Sequence, residues 1–89
     1  MTYMCPVCGY AGLEEPPWTN GSGSLEICPS CGIQFGYEDA AGGDLEARKK
    51  VHLAWRERWR ASGMRWWAPS PPAPPGWDPE TQLHNVSQE

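Results

Sequence analysis

Two short pieces of this chain repeat each other, Cys5-Pro6-Val7-Cys8-Gly9 and Cys28-Pro29-Ser30-Cys31-Gly32. Together they place four cysteines in the pattern C-x2-C-x19-C-x2-C, a spacing that reads as a zinc site. Two residues between thiols let one tight turn aim both sulfurs at a common point. Two such turns supply four thiolates in tetrahedral directions, which suits zinc at about 2.3 Å per bond. Proline after the first cysteine fixes each turn, and glycine after the second accepts the positive φ that closes it. Backbone N–H groups in the turn can donate to the sulfurs and offset their charge. Cys5, Cys8, Cys28 and Cys31 are therefore the expected ligands of one zinc ion. Iron is the alternative occupant, because a tetrahedral set of four sulfurs suits either metal.

Composition explains why such a site matters. Leu, Ile, Val and Phe number 11 of 89 residues, below the roughly 20% at which a charged chain is usually disordered. Gly and Pro contribute 20 residues, which also disfavours a large regular core. Six Trp and three Tyr pull the other way, since a buried aromatic removes roughly 150–250 Å² from water. A chain of this size needs an added constraint, and the cysteines are the candidate. No apolar run approaches the roughly 20 residues of a membrane span. Met1-Thr2-Tyr3-Met4 lacks the basic and apolar regions of a signal peptide. The expected compartment is the reducing cytoplasm, where paired cysteines bind metal more often than they form disulfides.

The charge is unevenly placed, with a net of −4. Residues 1–43, the four-cysteine part, carry five acids and no Lys or Arg, whereas all seven basic residues lie between Arg48 and Arg65. Within the first part, Leu25-Glu26-Ile27 and Ile33-Gln34-Phe35 alternate apolar and polar, predicting a hairpin joined through the second CPxCG turn. Thr19 to Ser24 reads as turn and flexible loop.

Residues 44–63 predict one amphipathic basic helix, with Asp44 as N-cap and Gly63 ending it at a left-handed position. Ala47, Val51, Trp55 and Trp59 share an arc at 100° per residue, with His52 at its edge. Lys49, Arg56 and Arg60 form a solvent stripe. Arg48 and Arg58 fall near Trp55 and Trp59, where they can cover or stack on the rings. Leu53 points away from the arc and needs cover from the tail. Residues 64–89 form a Pro/Trp-rich tail expected to pack on the helix, extended from Trp66 to Trp77. Asp78-Pro79-Glu80 signals a short helix at 79–83, and Asn85 to Glu89 should fray. The expected architecture is one small α+β domain: zinc-ribbon-like β-hairpins with two CPxCG turns, a main helix and the tail.

Four sulfurs complete a tetrahedron, so the site has no open position for catalysis. His52 reads as a packing residue and His84 as spare. Glu14-Glu15 and Glu38-Asp39 are adjacent loop acids without a visible partner. No nucleophile–base pair, P-loop or G-x-G-x-x-G occurs, and the chain is read as a non-enzyme.

The runs CPVCGYAGL and LEICPSCGIQFGYED, with the later WW and PPGWDPETQL, resemble a family of small uncharacterised bacterial proteins with a cysteine-rich, zinc-ribbon-like domain, the cysteine-rich CPCC proteins. The resemblance runs from Cys5 to Leu83. Val7 departs from the adjacent cysteines after which the family is named. What the resemblance implies is a metal-binding module with no assigned reaction, and relatives near bacterial toxin systems imply an interaction role. The CPVCGY and CPSCG turns are also similar to those of rubredoxins, which implies iron and electron transfer, although the helix and tail are foreign to that family.

Three functions follow. The first is a structural zinc site supporting a protein-interaction surface, because Trp and Arg concentrate between Arg48 and Trp77. Most of the tryptophans should be core, with Trp18 or Trp77 left available to a partner. The second is nucleic-acid binding by the basic helix (Arg48, Lys49, Lys50, Arg56, Arg58, Arg60, Arg65), opposed by a pI near 5.0. Electron transfer with iron is the third.

Overall fold

The computed structural model describes residues 2–70 and 72–86. Pro71 of the Pro-rich segment, Met1, and Ser87–Glu89 of the expected frayed end lie outside the described residues. Strand β1 (Trp18–Thr19) pairs antiparallel with β2 (Ser22–Gly23). A 3₁₀ turn at Ala41–Gly43 leads into helix α1 (Leu45–Ala61), and helix α2 (Pro79–Leu83) follows the Pro-rich stretch.

The hairpin is not where alternation placed it. Asn20 and Gly21, with φ of 49° and 82°, turn the chain between β1 and β2, and Asn-Gly is the pair that best tolerates two successive left-handed residues. Thr19 to Ser24 is thus a tight hairpin turn with its flanks rather than a flexible loop. The predicted pair at 25–27 and 33–35 forms one isolated bridge, Ile27 with Gln34. Leu25 sits at φ 67°. The Leu25 N–H donates to the Phe35 carbonyl, while the Phe35 N–H donates to the Glu26 carbonyl. Two residues therefore face one, as at a bulge, and the ladder does not propagate.

Helix α1 forms as its caps dictate. The Asp44 carboxylate accepts from the Glu46 and Ala47 N–H groups. At the other end the Met64 N–H reaches the Trp59 carbonyl and the Gly63 N–H the Arg60 carbonyl, the paired bonds of a Schellman stop. Helix α2 begins with Asp78 accepting from the Glu80 N–H and Pro79 at the first position.

The core is small and centred on sulfur. Val7, Leu13, Ile33 and Phe35 are fully buried around the four cysteines, and Trp59 and Leu83 close its sides. Leu53 remains 54% exposed; the tail does not cover it, and nothing in the structure explains it. Among the described residues no helix is long and apolar enough to cross a membrane.

The tail lies mainly across the cysteine turns and touches α1 near its C-terminal end. The Trp67 N–H donates to the Pro29 and Ser30 carbonyls and the Ala68 N–H to that of Pro29. Trp66 is met edge-on by Tyr10 at 5.6 Å and Trp77 at 5.2 Å, the T-shaped geometry favoured by ring quadrupoles. Asn85, expected to fray, donates from Nδ2 to the Gly9 carbonyl at 3.0 Å, and Val86 packs against the core.

Candidate metal centre

Each CPxCG turn is closed by the same pair of backbone bonds. In the first, the Gly9 N–H donates to the Cys5 carbonyl and the Cys5 N–H to that of Tyr10; in the second, Gly32 donates to Cys28 and Cys28 to Ile33. Gly9 and Gly32 have φ of 86° and 83°, a region that L side chains rarely adopt. Space forbids a side chain as well. A Cβ at Gly9 would fall 2.2 Å from the Gln82 carbonyl oxygen, and one at Gly32 2.6 Å from the Trp67 ring.

These turns bring the four sulfurs within 4.8 Å of one another, all buried. Cys5 Sγ is 3.9 Å from Cys31 Sγ, and Cys8 Sγ is 3.7 Å from Cys28 Sγ. Both distances are far beyond a disulfide bond of about 2.05 Å. They match the edge of a tetrahedron with metal–sulfur bonds of about 2.3 Å, which is about 3.8 Å. The closest cross-pairs join one turn to the other, so an ion here would tie residues 5–8 to 28–31. The Val7 N–H lies 3.4 Å from Cys5 Sγ, a donor that offsets thiolate charge.

Electrostatics also fit a cation. Burial pushes the Cys5 thiol well up. Cys31 is driven up by Cys28 first and then by Cys5 and Cys8. Cys8 moves down, chiefly through its interaction with Cys28 and then with Cys31 and Cys5. The sulfurs thus compete for charge in a dry site, and a divalent ion removes that competition by stabilising every thiolate at once.

The surroundings hold the turns through residues that sequence reasoning placed elsewhere. Arg56, expected on a solvent stripe, donates from Nε to the Val7 carbonyl at 2.7 Å and from Nη2 to that of Pro6 at 3.0 Å. Trp55 Nε1 donates to the Cys31 carbonyl at 2.9 Å. Gln82 joins both turns: its Nε2 donates to the Cys8 carbonyl and to Ser30 Oγ, and its Oε1 accepts from Trp77 Nε1 at 2.7 Å. Helix α1 and the tail therefore grip the cysteine turns from two sides.

Of the loop acids, Glu38 and Asp39 have side-chain partners, whereas Glu14 and Glu15 are engaged only through their backbone N–H groups. Asp39 is fully buried and accepts from Trp18 Nε1 at 2.9 Å, the Gly36 N–H at 2.7 Å and His52 Nε2 at 2.7 Å. Burial raises its carboxyl, but the bonds from His52, Trp18 and Gly36 outweigh that and hold it below the usual range. Glu38 accepts from the Gln34 N–H. The N–H groups of Glu14 and Glu15 donate to the Glu26 carboxylate. His52 is accordingly a hydrogen-bond partner of Asp39 as well as a packing residue. Arg48 stacks on Trp18, with Cζ 3.4 Å from the ring centroid, instead of on Trp55 or Trp59. Arg58 takes the Trp55 face, as expected, at 4.9 Å. Trp18 and Trp77, expected to remain available, are both engaged, whereas Trp67 is 54% exposed. Asn20-Gly21 carries a signal for its hairpin turn that the loop reading passed over; the Asp39 hub left no signal beyond an acid 13 residues before a histidine.

YoaQ, an uncharacterised protein of Bacillus subtilis strain 168, is 34% identical over 75 residues, covering 70% of this chain and 60% of its own length. A second uncharacterised protein of the same strain, YozI, is 38% identical over 40 residues, covering 42% of this chain and 33% of its own. The chain thus spans less than two thirds of the length of these relatives. No protein-family model matches it, and no solved structure does. The chain has uncharacterised Bacillus homologues, and its clustered cysteines make it a candidate metal-binding protein.

Proposed function

We propose that Cys5, Cys8, Cys28 and Cys31 bind one zinc ion as thiolates, in a zinc-ribbon-like arrangement whose role is structural. The observation that carries this reading is four buried sulfurs within 4.8 Å, delivered by two turns of identical backbone bonding. All four coordination positions are filled by protein, so the site leaves no place for a catalytic water, and the chain is read as a non-enzyme. Cysteines that are not paired in disulfides suit a reducing compartment, which supports a cytoplasmic location. Around the ion the chain presents a surface for a protein partner, with exposed Trp67 and the Arg58–Trp55 stack as its aromatic features.

Nucleic acid is the less supported partner. Arg48 and Arg56, two of the seven basic residues invoked for it, are turned inward onto Trp18 and the Val7 carbonyl, and Arg60 pairs with Glu57. Cobalt substitution tests the metal assignment. Co(II) added to reduced, metal-free protein should give the intense visible bands of tetrahedral thiolate coordination at one equivalent, and zinc should displace it. A weak octahedral spectrum, or undiminished bands in Cys8→Ser, would overturn the assignment. A red protein as purified would select iron.

A further inference from the structure

An open groove of about 410 Å³ lies between the outer side of the first cysteine turn, at Met4 and Pro6, and the start of α1, within the usual size of small-ligand sites. Its apolar walls are Met4, Pro6, Pro17, Trp18 and Leu45, and its polar groups are Arg48, Lys49, His52 and Glu46. Met4 and Leu45 are 43% and 66% exposed, so apolar surface here is left to water.

Arg48 is the unusual member. It is only 9% exposed, yet no carboxylate pairs with it among the described residues, where Asp39 is taken by His52 and Glu57 by Arg60. Its Nε donates to the Asp39 main-chain carbonyl at 3.2 Å, and its plane rests on Trp18. Its two Nη groups have no acceptor among the described residues. No buried side-chain nitrogen there lacks a partner, so these groups open onto the groove. The nearby Asp39 carboxylate is already engaged by Trp18, Gly36 and His52. A guanidinium whose stem and ring-stacked face are buried, and whose Nη groups reach the groove without a protein acceptor, is suited to an anion presenting two oxygens.

We propose that this groove binds a small amphiphilic carboxylate. The carboxylate takes the Nη edge of Arg48, with Lys49 beside it, and the apolar body covers Met4, Pro17, Trp18 and Leu45. Glu46 at the rim disfavours ligands carrying more than one negative charge.

The test is a nuclear magnetic resonance titration of the zinc-loaded protein with 4-phenylbutyrate, 4-phenylbutyramide and 4-phenylbutylamine. Phenylbutyrate should saturably shift the Trp18 indole and Arg48 Nε–H signals, and the neutral and cationic analogues should bind at least about tenfold more weakly. Arg48→Gln should erase the preference for carboxylate. Should that variant fail to fold, Lys49→Glu, a change at an exposed side chain, decides: at least about threefold weaker phenylbutyrate binding supports the proposal, and unchanged binding overturns it. Equal affinity for the three probes, no saturation below about 10 mM, or shifts centred on Trp67 and Trp77 would also overturn it. Groove signals that move on dilution alone would make the face a contact between copies and have the same consequence.

Discussion

Asp39 shows how one buried residue joins parts of the chain that share no secondary structure. Its carboxylate collects the indole of β1, a loop N–H and the His52 ring of α1. Asp39→Ala would leave those donors unpaired, and a cost of about 2–4 kcal/mol at neutral pH is expected in urea unfolding. The sign of its pH dependence follows from the lowered carboxyl. A group held down in the folded state stabilises it fully above the ordinary Asp value of about 3.9, and that stabilisation is lost as pH falls through the folded-state value. The gap between wild type and Asp39→Asn should therefore narrow below about pH 4. A gap that stays constant would show that the charge at Asp39 is not what matters. Gly9→Ala is the companion case. With φ of 86° and 2.2 Å to the Gln82 oxygen, it should destabilise the protein by at least about 2 kcal/mol and weaken zinc retention.

The elements differ in how far local sequence specified them. Helix α1 and the short helix at Pro79–Leu83 were legible because capping is written in adjacent residues: Asp44 and Asp78 each bond the N–H groups of their own first turn. Asp44→Ala should cost about 1 kcal/mol, read as a lower unfolding midpoint with the metal site intact. The spacing of the cysteines was legible for the same reason, since each CPxCG turn is local. The sheet was misread because alternation at 25–27 and 33–35 cannot reveal a left-handed Leu25, whereas Asn20-Gly21 does encode its turn. Arg56, Arg48 and Gln82 could not be placed from periodicity. Each has a defining partner 30 or more residues away in sequence, the Val7 carbonyl, the Trp18 ring and the Cys8 carbonyl, and one member of a helix stripe that looks solvent-facing, Arg56, turns inward where a loop covers it.

At the scale of the molecule, hydrogen bonds tie the tail to both cysteine turns. Gln82 bonds the first turn and Ser30 of the second, Trp67 bonds the Pro29 and Ser30 carbonyls, and Asn85 bonds Gly9. Gln82→Ala should therefore speed zinc transfer to a competing chelator without changing the one-to-one stoichiometry, and an unchanged rate would separate tail from site. The aliphatic content is too low for an ordinary core, and the fully buried side chains cluster around the sulfurs. Structural zinc contributes roughly 10–16 kcal/mol in small metal-folded peptides, comparable with the whole net stability of a domain. The most direct measurement is native mass spectrometry of the purified chain before and after chelation, with circular dichroism on the same samples. One zinc per chain, with helical signal lost on its removal, is the predicted result. A chain that carries no metal and keeps its helical signal and cooperative unfolding would contradict it.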